Sequence, residues 1–128
     1  MPVFNCAAWL PHALDSISAQ SFPDFELIVV DDGSTDQSCR VVEDAAHSDS
    51  RIRLVRQARL GISTALNRAV ALARSPIIAR MDGDDVAAPD RLQTQMDFLG
   101  AHPDVAAVGS WARVIGHRSE VIGELRPE

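Results

Sequence analysis

Apolar residues gather in short blocks, and the tightest block is Leu27-Ile28-Val29-Val30, with Asp24 and Glu26 before it and Asp31-Asp32-Gly33 after it. A run this short, rich in β-branched residues and free of polar ones, predicts a strand buried on both faces. Ser34 with Gln37 three residues later matches a capping box, predicting a helix over 35–47 that buries Val42 and Ala46 with Cys39 on the same face. Upstream, Leu10, Leu14 and Ile17 at i, i+4, i+7 predict a helix over 8–20, with Pro11 in its first turn. Residues 2–5 read as the tail of a strand. Residues 51–56 alternate charge with Ile52, Leu54 and Val55, which suits a strand nearer an edge.

The second half continues the alternation. Residues 61–73 predict a small-residue helix with Ile62, Ala65, Leu66, Ala69, Val70 and Ala73 turned inward. Residues 76–78 read as a second short strand, ending like the first in carboxylates: Asp82, Asp84 and Asp85. Pro89 and Asp90 open another helix carrying Leu92, Met96 and Leu99 on one face, with Gly100 near its end. Residues 105–108 begin a strand continuing through 111–115, and 118–125 form a last extended segment. Strands alternating with helices define an α/β class: a mostly parallel open sheet with helices on both faces. No repeat, low-complexity tract or linker divides residues 1–128, so one domain is expected.

Composition narrows the chemistry. The 128 residues are 46% hydrophobic with a net charge of −6, which disfavours a nucleic-acid partner. The basic residues are all arginine, and without lysine neither a P-loop nor Schiff-base catalysis is available. Cys6 and Cys39 lack CxxC spacing and read as ordinary reduced thiols. No apolar run reaches the roughly 18 residues of a membrane span, and no signal peptide is visible. The expected location is the cytoplasm, including the inner face of a membrane.

Two strand ends in one sheet would gather five carboxylates in one crevice, at the carboxyl ends where open α/β sheets place ligands. Ionised carboxylates about 4 Å apart repel by ~4 kcal/mol at an effective dielectric of 20. The cluster Asp82, Asp84 and Asp85 therefore persists most easily around Mg²⁺ or Mn²⁺, whose shells are completed by water and phosphates. The plainer alternative is a solvated turn capping the next helix. Asp31 and Asp32 either charge the start of the following helix or accept hydrogen bonds from a base N–H or ribose hydroxyl. Phe4 is either core or a ring on which a base stacks. His12, His47, His102 and His117 show no ligand spacing, and Trp9 and Trp111 read as packing residues. An EF-hand is excluded, because its glycine and distal glutamate are not in place.

In order along the chain, PVFN, QSFPDFELIVVDDGSTD, GISTALNRAVALA and RMDGDDVAAPDRLQTQ together resemble the family 2 glycosyltransferases of the GT-A fold. The resemblance runs from residue 2 to about residue 110. It implies an enzyme that moves a sugar from a nucleoside-diphosphate donor, a UDP-sugar, to a glycan, lipid or protein acceptor, as in bacterial cell-surface polysaccharide synthesis. Transfer would be a metal-dependent single displacement with inversion. By matching position, Pro2, Val3 and Phe4 would line the uracil site, and Asp32 would accept the base N–H with Asp31 in support. Asp82 and Asp84 match the DxD motif. Asp84 would ligate Mn²⁺ or Mg²⁺, and Asp82 would share the metal or face ribose or sugar. Arg80 and Asp85 adjoin the motif by sequence only.

The resemblance also implies a general base and acceptor site beyond the DxD region, and a longer first strand than this chain contains. The expectation is a donor-binding portion, inactive alone, whose sheet is completed by upstream residues or by a second copy of the chain. Two rivals lack their hallmarks: a receiver domain needs a lysine, and a nucleotidyltransferase needs a Gly-rich basic loop where Asn5 leads into CAAWL. A non-catalytic nucleotide-binding or assembly module on the same fold stays open.

Overall fold

A computed structural model of the protein describes residues 1–116, 118 and 120–125. It divides into two compact units, residues 1–93 and 94–128. The first holds β1 (Pro2–Val3), α1 (Leu10–Ser18), β2 (Leu27–Asp32), α2 (Ser38–Ser48), β3 (Ile52–Gln57) and α3 (Ile62–Leu72). The sheet runs β1-β2-β3, all parallel, with Val3 opposite Asp31, and Leu27 and Asp32 opposite Ile52 and Gln57. Met1 prolongs the β1 pairing: its amine donates to Ile28 O and its carbonyl accepts from Val30 N.

The central strand β2 is buried at all six positions, as its unbroken apolar run predicts. Alternation sorts its side chains to two faces. Leu27 and Val29 join Leu10, Ala13, Leu14 and Ile17 of α1 and Val42 of α2. Ile28 and Val30 meet Ala65, Ala69 and Leu72 of α3, and Ala73 just after it. Complete burial of side chains this size stabilises by about 1.5–3 kcal/mol each. Helices therefore cover both faces, and the chain changes face after β3, leaving the carboxyl ends of β1 and β2 as the place for a ligand.

Several expectations are corrected. The helix expected over 35–47 is α2, and it begins at Ser38 without a Ser34 capping box. Ser34 Oγ instead accepts from Asn5 N, and Asp36 Oδ1 takes Ser38 N. In α3, Ile62 and Val70 are about half exposed, because the sheet is met by Ala65, Ala69 and Leu72. Residues 76–80 form no strand, and Ile77 and Ile78 are exposed. With β1 only two residues long, little backbone is available to pair a strand on its far side.

Helix α4 (Arg91–Ala101) crosses the boundary between the units, and Gly100 lies inside it. The rest of the second unit holds β4 (Ala112–Ile115) and β5 (Val121–Leu125), an antiparallel pair with a register shift at Val114/Ile115. Residues 105–108 are not a strand, and Trp9 and Trp111 are exposed rather than packed inside. Both cysteines are free. His47 and His102 bond the helix carbonyls of Glu43 and Phe98, while His117 lies outside the described residues. Among the described residues no helix is long and apolar enough to cross a membrane.

Candidate functional site

Three loops meet where β1 and β2 end. Asn5 leaves β1 with φ 49°, a left-handed conformation that asparagine tolerates. Its Oδ1 accepts from Thr35 N at 2.8 Å. Cys6 N donates to Ser38 Oγ and Ala7 N to Asp36 Oδ2. The polar run Ser34 to Ser38 thus laces the exit of β1 to the start of α2, which holds Phe4 half-buried beside the end of β2.

Asp32 holds the third loop. Its Oδ1 accepts from Gln57 Nε2 at 2.7 Å and Leu60 N at 2.8 Å, and its Oδ2 accepts from Gly61 N at 2.9 Å. These bonds, the Gln57 one foremost, hold its carboxyl below the ordinary aspartate range. Each carboxylate oxygen offers two lone pairs, so Oδ2 retains one that these bonds do not use, on a residue that is 5% exposed. The strapped loop carries Arg59, whose guanidinium carbon lies 3.9 Å from the centre of the Phe4 ring. Asp31 faces the other way. Its Oδ2 takes Ser34 N at 3.2 Å, while its buried Oδ1 has no hydrogen-bond partner among the described residues.

The acidic loop is seated on β1 through Gly83. A Cβ there would lie 3.0 Å from Cys6 Sγ and 3.1 Å from Val3 Cγ2, closer than side chains normally tolerate. Behind it, Ser16 Oγ accepts from Ala87 N, and the Gln20 amide donates to Ala88 O and accepts from Leu92 N. Arg80 Nη2 reaches both Asp82 oxygens, at 3.0 and 2.8 Å. Asp84 is exposed. Asp85 is raised above the usual carboxylate range by desolvation first and then by Asp82 and Asp84.

Of the residues expected at the site, Phe4 and Asp32 share the strap through Arg59. Val3 touches the acidic loop through Gly83, and Asp82 and Asp84 flank that glycine. Among the described residues no three His, Cys, Asp or Glu side chains converge as a metal cage. An exposed Asp84 beside Asp82 still fits Mg²⁺ or Mn²⁺, which are held by one or two carboxylates plus phosphate oxygens and water. Sequence reasoning missed Gln57, Arg59, Gln20 and Ser16. The partners that tie them into the site (Asp32, Phe4, Ala87, Ala88 and Leu92) lie 25 or more residues away, so no local pattern marks them.

A three-stranded parallel sheet covered on both faces by helices is the α/β arrangement of the GT-A glycosyltransferases on which the chain superposes. The glycosyl transferase family 2 profile matches residues 1–125, and the chain belongs to that family. EpsE of Bacillus subtilis, provisionally named a glycosyltransferase, is 38% identical over 112 residues, covering 86% of this chain and 40% of EpsE. The chondroitin synthase of Escherichia coli is 30% identical over 95% of this chain and 18% of its own. Among solved structures, residues 1–349 of S. aureus TarS in complex with UDP superpose with a TM-score of 0.71 at 27% identity, over 80% of this chain and 31% of that one. The mannosyltransferase PcManGT of Pyrobaculum calidifontis, in complex with GDP-Man and Mn²⁺, gives 0.72 at 32% identity, over 77% and 30%. The chain thus spans two-fifths or less of the length of each of these relatives.

Proposed function

We propose that this chain is the donor-binding portion of an inverting glycosyltransferase that takes a UDP-sugar. The observation that carries the reading is the meeting, at the carboxyl ends of β1 and β2, of an aromatic face (Phe4), a carboxylate with one unused lone pair on Oδ2 (Asp32) and an acidic loop seated by Gly83. Pro2, Val3 and Phe4 form the base subsite, and Asp32 Oδ2 accepts the uracil N3–H. Asp31 supports the same site by holding the Ser34 turn. Asp84, with Asp82 beside it, holds Mn²⁺ or Mg²⁺, and Asp82 also faces the ribose or sugar. A divalent cation held there would supply positive charge to offset the negative charge that develops on the departing diphosphate. These residues bind and orient the donor so that an acceptor hydroxyl attacks the anomeric carbon from the side opposite the diphosphate, inverting it. The general base and the acceptor site belong to the part of the family domain that follows the acidic loop.

UDP-bound TarS and PcManGT with GDP-Man and Mn²⁺ support a nucleotide donor and a divalent cation. Titration calorimetry with UDP, with and without Mn²⁺, tests the reading. Heat that depends on both is expected. Binding of neither would leave a non-catalytic module on the same fold.

A further inference from the structure

We propose that Arg59 is a plug of the base subsite, an affinity-setting residue whose guanidinium holds the Phe4 ring face until a nucleobase displaces it. The inference rests on the reading of Phe4 given above. The guanidinium carbon lies 3.9 Å from the ring centre, so it fills the space above that face where a stacked base would sit. That face of the ring therefore takes one occupant at a time, the guanidinium or a base.

The two halves of Arg59 are held differently. Its backbone is pinned, because Leu60 N and Gly61 N bond Asp32 and the chain crosses directly over Gly33. Its side chain is exposed and attracted through space by the Asp32 carboxylate, but no carboxylate or carbonyl among the described residues takes a hydrogen bond from the guanidinium. The Phe4 ring is its stacking partner. A fixed anchor with a loosely held head suits exchange.

Magnitudes favour the base. An exposed cation–π contact favours the closed arrangement by roughly 2- to 5-fold. Stacking of a base on an aromatic ring is worth from about 5-fold upward. Exchange is therefore favourable but lowers the apparent affinity by the plug's own stability, since only the fraction with an open face is competent.

The test uses the whole chain and uridine, which carries the base without phosphate charge, alongside UDP with Mn²⁺. The free protein should show an Arg59 Nε–H signal shielded by the ring current of Phe4, and this shielding should vanish in Phe4→Leu. Saturating uridine should move the signal to an unshielded position in the wild type. Arg59→Ala, checked for folding by circular dichroism, should bind uridine about 3- to 6-fold more tightly. Weaker uridine binding by Arg59→Ala, or an Arg59 signal still shielded at saturation, would overturn the plug while leaving the nucleotide site standing. No binding of uridine or UDP to the wild type would overturn the base subsite, and the plug with it.

Discussion

Gly33 lies directly beneath the backbone of Arg59: a Cβ on Gly33 would come within 2.9 Å of the Arg59 nitrogen. The glycine also has φ 78°, in the left-handed region. Both facts exclude a side chain, so Gly33→Ala meets the left-handed penalty and a backbone clash together. The expected loss is about 2–4 kcal/mol of stability, read as a lower urea midpoint with unchanged slope. A variant as stable as the parent would show that the Arg59 loop can lift away without cost.

Asp84 is exposed, so its carboxylate is not needed by the fold. Asp84→Asn should leave the thermal midpoint nearly unchanged and abolish the Mn²⁺-dependent part of UDP binding. Calorimetry with and without Mn²⁺ separates the two effects. Retained metal dependence would remove Asp84 from the site.

Asp32 straps the 57–61 loop and, in the function proposed above, also accepts the uracil N3–H; one substitution can separate the two. Asp32→Ala should weaken UDP binding about 10- to 150-fold, the range for a charged hydrogen bond. The loss should be smaller for an N3-methylated uridine diphosphate, which lacks the N–H to be read. Equal losses for both ligands would mean that Asp32 acts only by strapping the 57–61 loop.

How much of this could be read along the chain depends on the range of the interactions. The burial of β2 was legible because four adjacent apolar residues state it locally. The positions of Asp31 and Asp32 at its end followed directly. The face of α3 was read too widely: Ile62 and Val70 fit the helical period, but the sheet reaches only Ala65, Ala69 and Leu72. Residues 76–78 carry a strand pattern, yet a strand also needs a paired neighbour, and β1 offers two residues. Ser34 and Gln37 fit a capping box by type, but Asn5, far away in sequence, claims Ser34. Arg59 and Gln20 were invisible for the same reason, since their partners at the site lie 55 and 68–72 residues away.

At the opposite end of the sheet from the site, Arg51 binds Asp49 through Nε and Nη2, donates to Ser18 O at 3.0 Å, and lies 4.1 Å from the Phe25 ring centre. Arg51 holds the Asp49 carboxyl far below the usual carboxylate range. An aspartate titrates near ~3.9 in an unfolded chain. The stabilisation is therefore complete above that value and drains away as pH falls below it toward the folded pKa. Urea midpoints should fall between pH 6 and pH 3, and the fall should be smaller in Arg51→Met. That variant should lose about 1–2 kcal/mol at neutral pH, after allowance for partial solvent screening. An identical pH profile in variant and parent would assign the acid sensitivity to other carboxylates.

Gln20 connects the end of α1 to the chain behind the acidic loop. Its Nε2 donates to Ser16 O at 3.0 Å and Ala88 O at 2.7 Å, and its Oε1 accepts from Leu92 N at 3.0 Å. The side chain is 7% exposed, so Gln20→Leu fills the space but strands two carbonyls and an N–H. Each stranded group costs about 1–3 kcal/mol where water cannot reach it. The loop would then be held by Ser16 Oγ on Ala87 and by the Ser21 N bond to Pro89 O. Both lie beyond Asp84 in the chain, and losing the Gln20 bonds loosens the frame that sets where that carboxylate points. Mn²⁺-dependent UDP binding should therefore weaken in Gln20→Leu by more than uridine binding at the Phe4 face does. A purely global destabilisation would lower both in proportion to the unfolded fraction. Equal loss of uridine and metal-dependent binding, measured well below the thermal midpoint, would show that Gln20 supports the whole fold rather than the acidic loop.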